Sequence, residues 1–280
     1  MQKRKGKYFA RVIFSYAALI AAVIFSVFPA IWMFVTSIKQ PEENFTTPPK
    51  LLVENPTLSN YSRVLFESDI PRAFLNSVIV TVGGTAITLV IAILAGYGFS
   101  RYKFKGSNVL SSSLLYGQMM PGVVLIIPLY MIFSKLHLID TYLGLIIANL
   151  ATSIPLAVIM LRSYFQGIPR ELEEAAKIDG ASNIGALIRV ILPVSMPGVI
   201  AVSMYVILHI WEEFLFALNL TNSSDVRTLP IAINNFSGEF VIDWGAMMGA
   251  SVVVSVPVLL IFLLCNKYFV KGLSDGSVKG

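Results

Sequence analysis

A chain of 280 residues, 56% hydrophobic and 13% charged, with a mean hydropathy of +0.75, lies well outside the range of soluble domains, where about a quarter of residues carry charge. Its single cysteine, Cys265, excludes an internal disulfide framework. The net charge of +5 is spread over Lys and Arg at the ends of apolar runs, which points to orientation in a bilayer and away from a nucleic-acid partner.

Six apolar stretches follow in chain order, at 12–38, 73–100, 106–134, 141–161, 194–220 and 244–266, and only the fifth contains acidic or basic residues, Glu212 and Glu213. Each can supply the roughly 20 residues that cross a hydrocarbon core as a helix. The first exceeds the apolar region of a secretory signal, about 7–15 residues, and reads as a retained anchor. The expected fold is therefore all-α: one polytopic transmembrane domain of six helices spanning 1–280. With the N-terminus inside, only Lys39, Lys50, Arg63, Arg72, Lys135 and Arg227 fall outside, so both termini are expected in the cytoplasm.

The outer connection 39–72 contains Pro41, Pro48, Pro49, Pro56 and Pro71 and reads as extended chain and turns, with a short helix over 59–66. The last outer loop, about 221–243, mixes Asn234, Asn235 and Phe236 with acidic residues. Its length suits either a solvated linker or contact with an extracytoplasmic partner. Gly117, Pro121, Gly122 and Pro128 interrupt the third stretch, Pro155 the fourth, and Gly249 and Pro257 the sixth, as in helices that kink and line a path. No GxxxxGK[ST] occurs, so any nucleotide energy must come from another subunit.

Between the fourth and fifth stretches, 169–193 alternates charge with apolar spacing. Pro169 suits a first helical position, Glu171, Glu173 and Glu174 favour a helix N-terminus, and Asp179-Gly180 supplies a stop. Ser182 or Asn183 can cap a second helix with Ile184, Leu187, Ile188 and Ile191 on one face, ended by Pro193 and Pro197. The first helix is acidic, unlike helices that rest on lipid. A rigid element seated in a groove of a cytoplasmic partner fits better.

In the fifth stretch, Tyr205, His209, Glu212 and Phe216 recur at helical spacing and should share a face. Aromatic rings with polar groups suit a sugar, and Gln118 and Asn149 are further candidates to line its path. Glu213 is open to two readings, pairing with a neighbouring helix or touching substrate. A proton relay is a further use of such groups, whereas one His without HExxH does not make a metal site.

Glu174-Ala175-Ala176, Asp179-Gly180 and Leu192-Pro193 together resemble the EAA loop of permease subunits of bacterial ATP-binding-cassette importers, with Val190 where that pattern has isoleucine. The run 211–218 (WEEFLFAL) and the tail from 268 to 280 resemble the smaller permease of maltose-type carbohydrate systems; Glu212 stands where that family commonly has Asn. The resemblance implies a multi-pass protein of the bacterial inner membrane that moves a sugar by alternating access and is not an enzyme. Implied partners are a second permease, two ATPase subunits holding ATP and Mg, and an extracytoplasmic binding protein, with no cofactor in this chain. It also implies that the EAA loop docks on an ATPase, that Asn234, Asn235 and Phe236 face the binding protein, and that Gly272, Gly276 and Lys279 reach between the ATPases. Two other classes remain to be separated from this one: an ion-coupled transporter, which should show internal repeats, and a membrane enzyme using Glu212, Glu213 and His209 as acid–base groups.

Overall fold

In a computed structural model the chain is described over residues 2–238 and 241–277, with side chains over 12–238 and 241–265. Helix dominates: among the described residues the sole β feature is an isolated bridge between Ser237 and Ile242. Among the described residues, five segments are long and apolar enough to cross a membrane, namely Val12–Ser37, Ile70–Arg101, Tyr142–Gln166, Asn183–Trp211 and Trp244–Cys265. The chain forms two compact units, Met1–Ser68 with Ile233–Val254, and Asp69–Ala232 with Ser255–Gly280.

In the first unit, α1 (Gln2–Ser37) exposes apolar side chains on most sides, including Phe14, Leu19, Ile24 and Phe25. That is the pattern of a helix whose surroundings are lipid or another subunit. The short outer helix expected at 59–66 is present as α2 (Ser59–Phe66). Its buried Asn60 donates from Nδ2 to the carbonyls of Ser37 (2.9 Å) and Lys39 (3.0 Å), closing the C-terminal end of α1. Arg63 Nη2 donates to Asn60 Oδ1 and pairs with Asp243 at 2.8 Å. Asn60 also packs on Gly245 near the start of α12 (Trp244–Ser277), where an added Cβ would lie 2.7 Å from its amide.

The second unit is organised on α3 (Ile70–Arg101), α6 (Tyr142–Gln166) and α9 (Leu192–Trp211). Its core joins Val80, Leu145, Val158, Leu161, Phe165, Leu187 and Val206. Small residues let α3 approach α6: a Cβ on Gly96 would sit 3.1 Å from the backbone nitrogen of Arg162. At the N-terminal ends of α3 and α6, Asn76 Nδ2 donates to the carbonyls of Asp225 and Arg227, Tyr142 donates to Asn76 Oδ1 at 2.7 Å, and Asp140 accepts from the N–H groups of Asn222 and Ser223. These bonds pin the loop after the fifth stretch to the ends of α3 and α6.

The single third span expected over 106–134 is instead two helices, α4 (Ser107–Met119) and α5 (Gly122–Lys135), bent by 101°. Pro121 has no N–H to donate and pushes Met120 into extended backbone (ψ 125°). At 1.5 Å per residue each half is about 20 Å long, short of the ~30 Å hydrocarbon core, so only as one broken span does the pair complete a set of six.

A second expectation also fails. Pro193 and Pro197 do not separate the second loop helix from the fifth span. α8 (Asn183–Ala186), a π segment (Leu187–Ile191) and α9 run as one 29-residue helix. The Leu192 N–H reaches back to the Leu187 carbonyl, a widened turn that relieves the Pro193 ring of its clash with the preceding turn.

Candidate functional site

The loop helix α7 (Glu171–Ile178) begins after the N-cap Arg170, so Pro169 lies just outside it, not at its first position. Its end is a Schellman cap: Gly180 has φ +86°, its N–H bonds to the Lys177 carbonyl, and the Ala181 N–H bonds to the Ala176 carbonyl. No atom lies within 4 Å of an added Cβ on Gly180, so the demand for glycine there is one of backbone conformation alone. Ser182 then caps α8 by accepting from the Gly185 N–H at 3.1 Å.

Glu173 turns inward from α7. It is 5% exposed, and its Oε2 lies 3.1 Å from Arg101 Nε at the end of α3, a contact off the hydrogen-bond axis. Lys177 Nζ donates to its other oxygen at 2.7 Å, and Arg101 Nη2 donates to the Ile168 carbonyl. Burial pushes the Glu173 carboxyl up, but Lys177, the nearby Tyr97 hydroxyl and the Arg101 charge outweigh it and hold the group below the usual glutamate range. The same bond raises the Lys177 ammonium. Outward, α7 and α8 present Glu174, Ala175, Asp179 and Gly180, with exposed Leu172, Ile178, Ile184 and Ile188. Leu187 and Ile191 face the core, so the four residues expected to share one apolar face divide between two.

A second cluster gathers within the membrane-spanning part of the unit. Thr152 on α6 is its centre: Gln118 Nε2 donates to the Thr152 carbonyl at 2.7 Å, and His209 Nε2 lies 3.1 Å from Thr152 Oγ1. Thr152 Oγ1 also donates to the Asn149 carbonyl, and the Tyr205 and His209 rings stack at 5.8 Å, 17° from parallel. Asn149 is buried; its Nδ2 donates to the Leu145 carbonyl, while its Oδ1 has no partner among the described residues.

The expected face from Tyr205 through Phe216 is not continuous. α9 ends at Trp211, and α10 (Leu215–Leu220) restarts after a break at 212–214. Glu213 fills that break, accepting from the N–H groups of Phe216 (2.6 Å) and Ala217 (3.0 Å). Phe216 is buried in the core and does not join Tyr205 and His209, whereas Glu212, exposed at the C-cap of α9, stays close enough to His209 for its charge to act on the imidazole. Asn234 and Asn235 are exposed and Phe236 half-buried. Gly272 and Gly276 lie in the last turns of α12, with side-chain surroundings outside the described set, and Lys279 lies outside the described residues.

Residues 88–275 match the family model described as "Binding-protein-dependent transport system inner membrane component". The chain belongs to that family. Over 253 residues, 90% of the chain and 89% of the relative, it is 36% identical to the sulfoquinovosyl glycerol transport system permease protein SmoH of Agrobacterium fabrum. Over 273 residues, 96% and 97% of the two chains, it is 37% identical to the trehalose/maltose transport system permease protein MalG of Thermococcus litoralis. A crystal structure of a bacterial ABC transporter involved in the import of the acidic polysaccharide alginate superposes with a TM-score of 0.79 at 20% identity, covering 92% of this chain and 95% of that one; this last likeness speaks for the fold. The permease is thus a multi-pass protein of the inner membrane and a transport component, not an enzyme, and its family works with a solute-binding protein.

Within the permease, sequence reasoning singled out Gln118, Asn149, Tyr205 and His209; the structure gathers Gln118, Tyr205 and His209 around Thr152, whereas Asn149 takes part only through its backbone carbonyl, its amide bonding Leu145. Sequence reasoning missed the hub, Thr152, because a threonine in an apolar helix carries no signal by itself. It also read Glu173 as one of three helix-start acids. Only the fold shows that this one is the strut to Arg101.

Proposed function

We propose that the permease forms half of the translocation path of an ATP-driven carbohydrate importer. It pairs with a second permease, receives its sugar from an extracytoplasmic binding protein, and is driven by two ATPase subunits that hold ATP and Mg. The observation that carries this reading is the pairing, in one chain, of an exposed docking loop braced from behind with a polar and aromatic cluster inside the spans. Glu174, Ala175, Ala176, Asp179, Gly180, Leu192 and Pro193 form the docking element. Its outward Glu174 and the apolar Leu172, Ile178 and Ile184 suit a partner groove. Tyr205, His209, Gln118 and Asn149 line the path, where stacked rings meet the sugar face and the amides meet its hydroxyls. Glu213 shapes the path by holding the break at 212–214, and Glu212, exposed there, contacts either substrate or the second permease. Asn234, Asn235 and Phe236 meet the binding protein, and the tail with Gly272, Gly276 and Lys279 reaches the ATPases. The two faces of the path differ in affinity for sugar, which couples transport to the ATPase cycle.

Reconstitution tests this. The assembled importer in proteoliposomes, given the binding protein loaded with its co-purifying sugar, should accumulate that sugar only with ATP and irrespective of ion gradients. Glu174→Lys should abolish uptake and ATPase association while the permease still inserts. Uptake that persists with an inactivated ATPase, or a Glu174→Lys permease that retains its ATPases, would overturn the assignment.

A further inference from the structure

A recess of about 630 Å³ opens where α3 ends, α4 begins and α6 ends, and the chain between α6 and α7 forms its floor. Its charged lining is Arg101, Lys103, Arg162, Arg170 and Glu171. Arg101 is committed to Glu173 and the Ile168 carbonyl. That leaves three cations against one carboxylate. Arg162 is half-buried and bonds Ser111 Oγ through Nη1, while its buried Nε has no partner among the described residues, so its charge is not matched by a carboxylate there. The first turn of α4, Ser107 and Asn108, forms another wall; its N-cap Gly106 offers no side-chain cap, so its N–H groups add to the positive potential. Exposed aromatic rings border it: Tyr102 in the lining, and Phe104, which stacks at 6.0 Å on Phe99 of the lining.

We propose that this recess binds one anionic phospholipid, its phosphate between Lys103, Arg162 and Arg170 and its acyl chains against Phe99, Tyr102 and Phe104. The distribution of Lys and Arg puts these helix ends at the inner leaflet, where anionic lipids meet basic pockets between membrane helices. A free phosphate would satisfy the cations equally well. The apolar side chains beside the recess favour the lipid, because one molecule then satisfies both surfaces. The recess shares Pro169, Arg170 and Glu171 with the start of the 169–193 loop but none of the sugar-path residues, and it does not depend on which solute is carried.

The test uses the assembled importer in nanodiscs of phosphatidylcholine with and without phosphatidylglycerol. Native mass spectrometry should show a retained phosphatidylglycerol on the wild-type importer, lost in the Lys103→Gln variant. Lys103 is exposed and outside the docking loop, so that variant should assemble normally in phosphatidylcholine alone. Arg162→Gln should lose the same lipid, and Arg162→Lys should retain part of it. A lipid count unchanged by these variants, or no retained phosphatidylglycerol at all, overturns the proposal. So does inorganic phosphate that binds the importer in phosphatidylcholine discs and is lost in the same variants, which would make the site one for a soluble anion. A lipid retained by the permease pair but expelled once the ATPases bind would assign the recess to the ATPase interface and also overturn it.

Discussion

Thr152 shows how much one side chain can organise without any charge. Its hydroxyl faces His209 Nε2, its carbonyl takes the Gln118 amide, and it sits one helical turn from Asn149. Replacing it with valine keeps the shape but leaves the half-buried imidazole without its partner, a loss of about 0.5–1.5 kcal/mol of hydrogen-bond stabilisation and of the ring's orientation. Thr152→Val should therefore lower sugar uptake several-fold in proteoliposomes while the complex still assembles, and Thr152→Ser should restore most of it. Normal uptake by the valine variant would remove the cluster from the path. The caps around Gly180 were readable because their determinants are local: a φ that glycine tolerates and a serine three residues before the amide it accepts. The Thr152 cluster was readable only as separate polar residues, since its bonds join helices that the sequence does not pair.

At the scale of helices, departures from expectation occur where a break or its absence has no simple sequence mark. Pro121 with Gly122 signals an interruption, but not a turn of 101°. Pro193 and Pro197 signal an end, yet the helix continues because the π segment relieves the first of them. The break at 212–214 has no Gly or Pro; Glu213, which the sequence left open between pairing with a neighbouring helix and touching substrate, restarts the helix by accepting two backbone N–H groups. In the first unit the same accounting gives a prediction. Asn60 is buried and serves two carbonyls at the end of α1, whereas the Arg63–Asp243 pair is partly exposed, at 40% and 36% for its side chains. Removing the amide strands buried acceptors, and an exposed ion pair contributes about 0–1 kcal/mol. In detergent, Asn60→Ala should lower the thermal midpoint clearly and Asp243→Asn hardly at all. The reverse order would show that the surface pair, not the cap, secures α2.

For the whole molecule the question is how motion imposed on the proposed docking loop reaches the spans. The loop helix α7 is tied to the end of α3 by the Glu173–Arg101 contact, both side chains nearly buried at 7% and 5% exposed, and α3 packs along α6 and α9. A push on α7 thus has a short, dry route to the helices that carry Thr152 and His209. Breaking a buried pair on one side strands a charge and costs about 3–5 kcal/mol, whereas replacing both partners with apolar groups of similar volume is often neutral. This difference separates holding the fold from transmitting motion. Arg101→Met and Glu173→Met alone should each lower stability and assembly. The double Met variant should recover stability yet leave an importer whose ATPase responds less to loaded binding protein, because a greasy contact can slide where an oriented ion pair holds register. Full recovery of stimulated ATPase activity in the double variant would make the pair structural only. Acid should act as the single Glu173 variant does. The folded Glu173 carboxyl titrates below its ordinary range, so its stabilisation is complete above that range and is lost as pH falls through the lowered folded value. Wild-type assembly should therefore weaken on that acid limb, and the double Met variant should lack that part of the pH dependence.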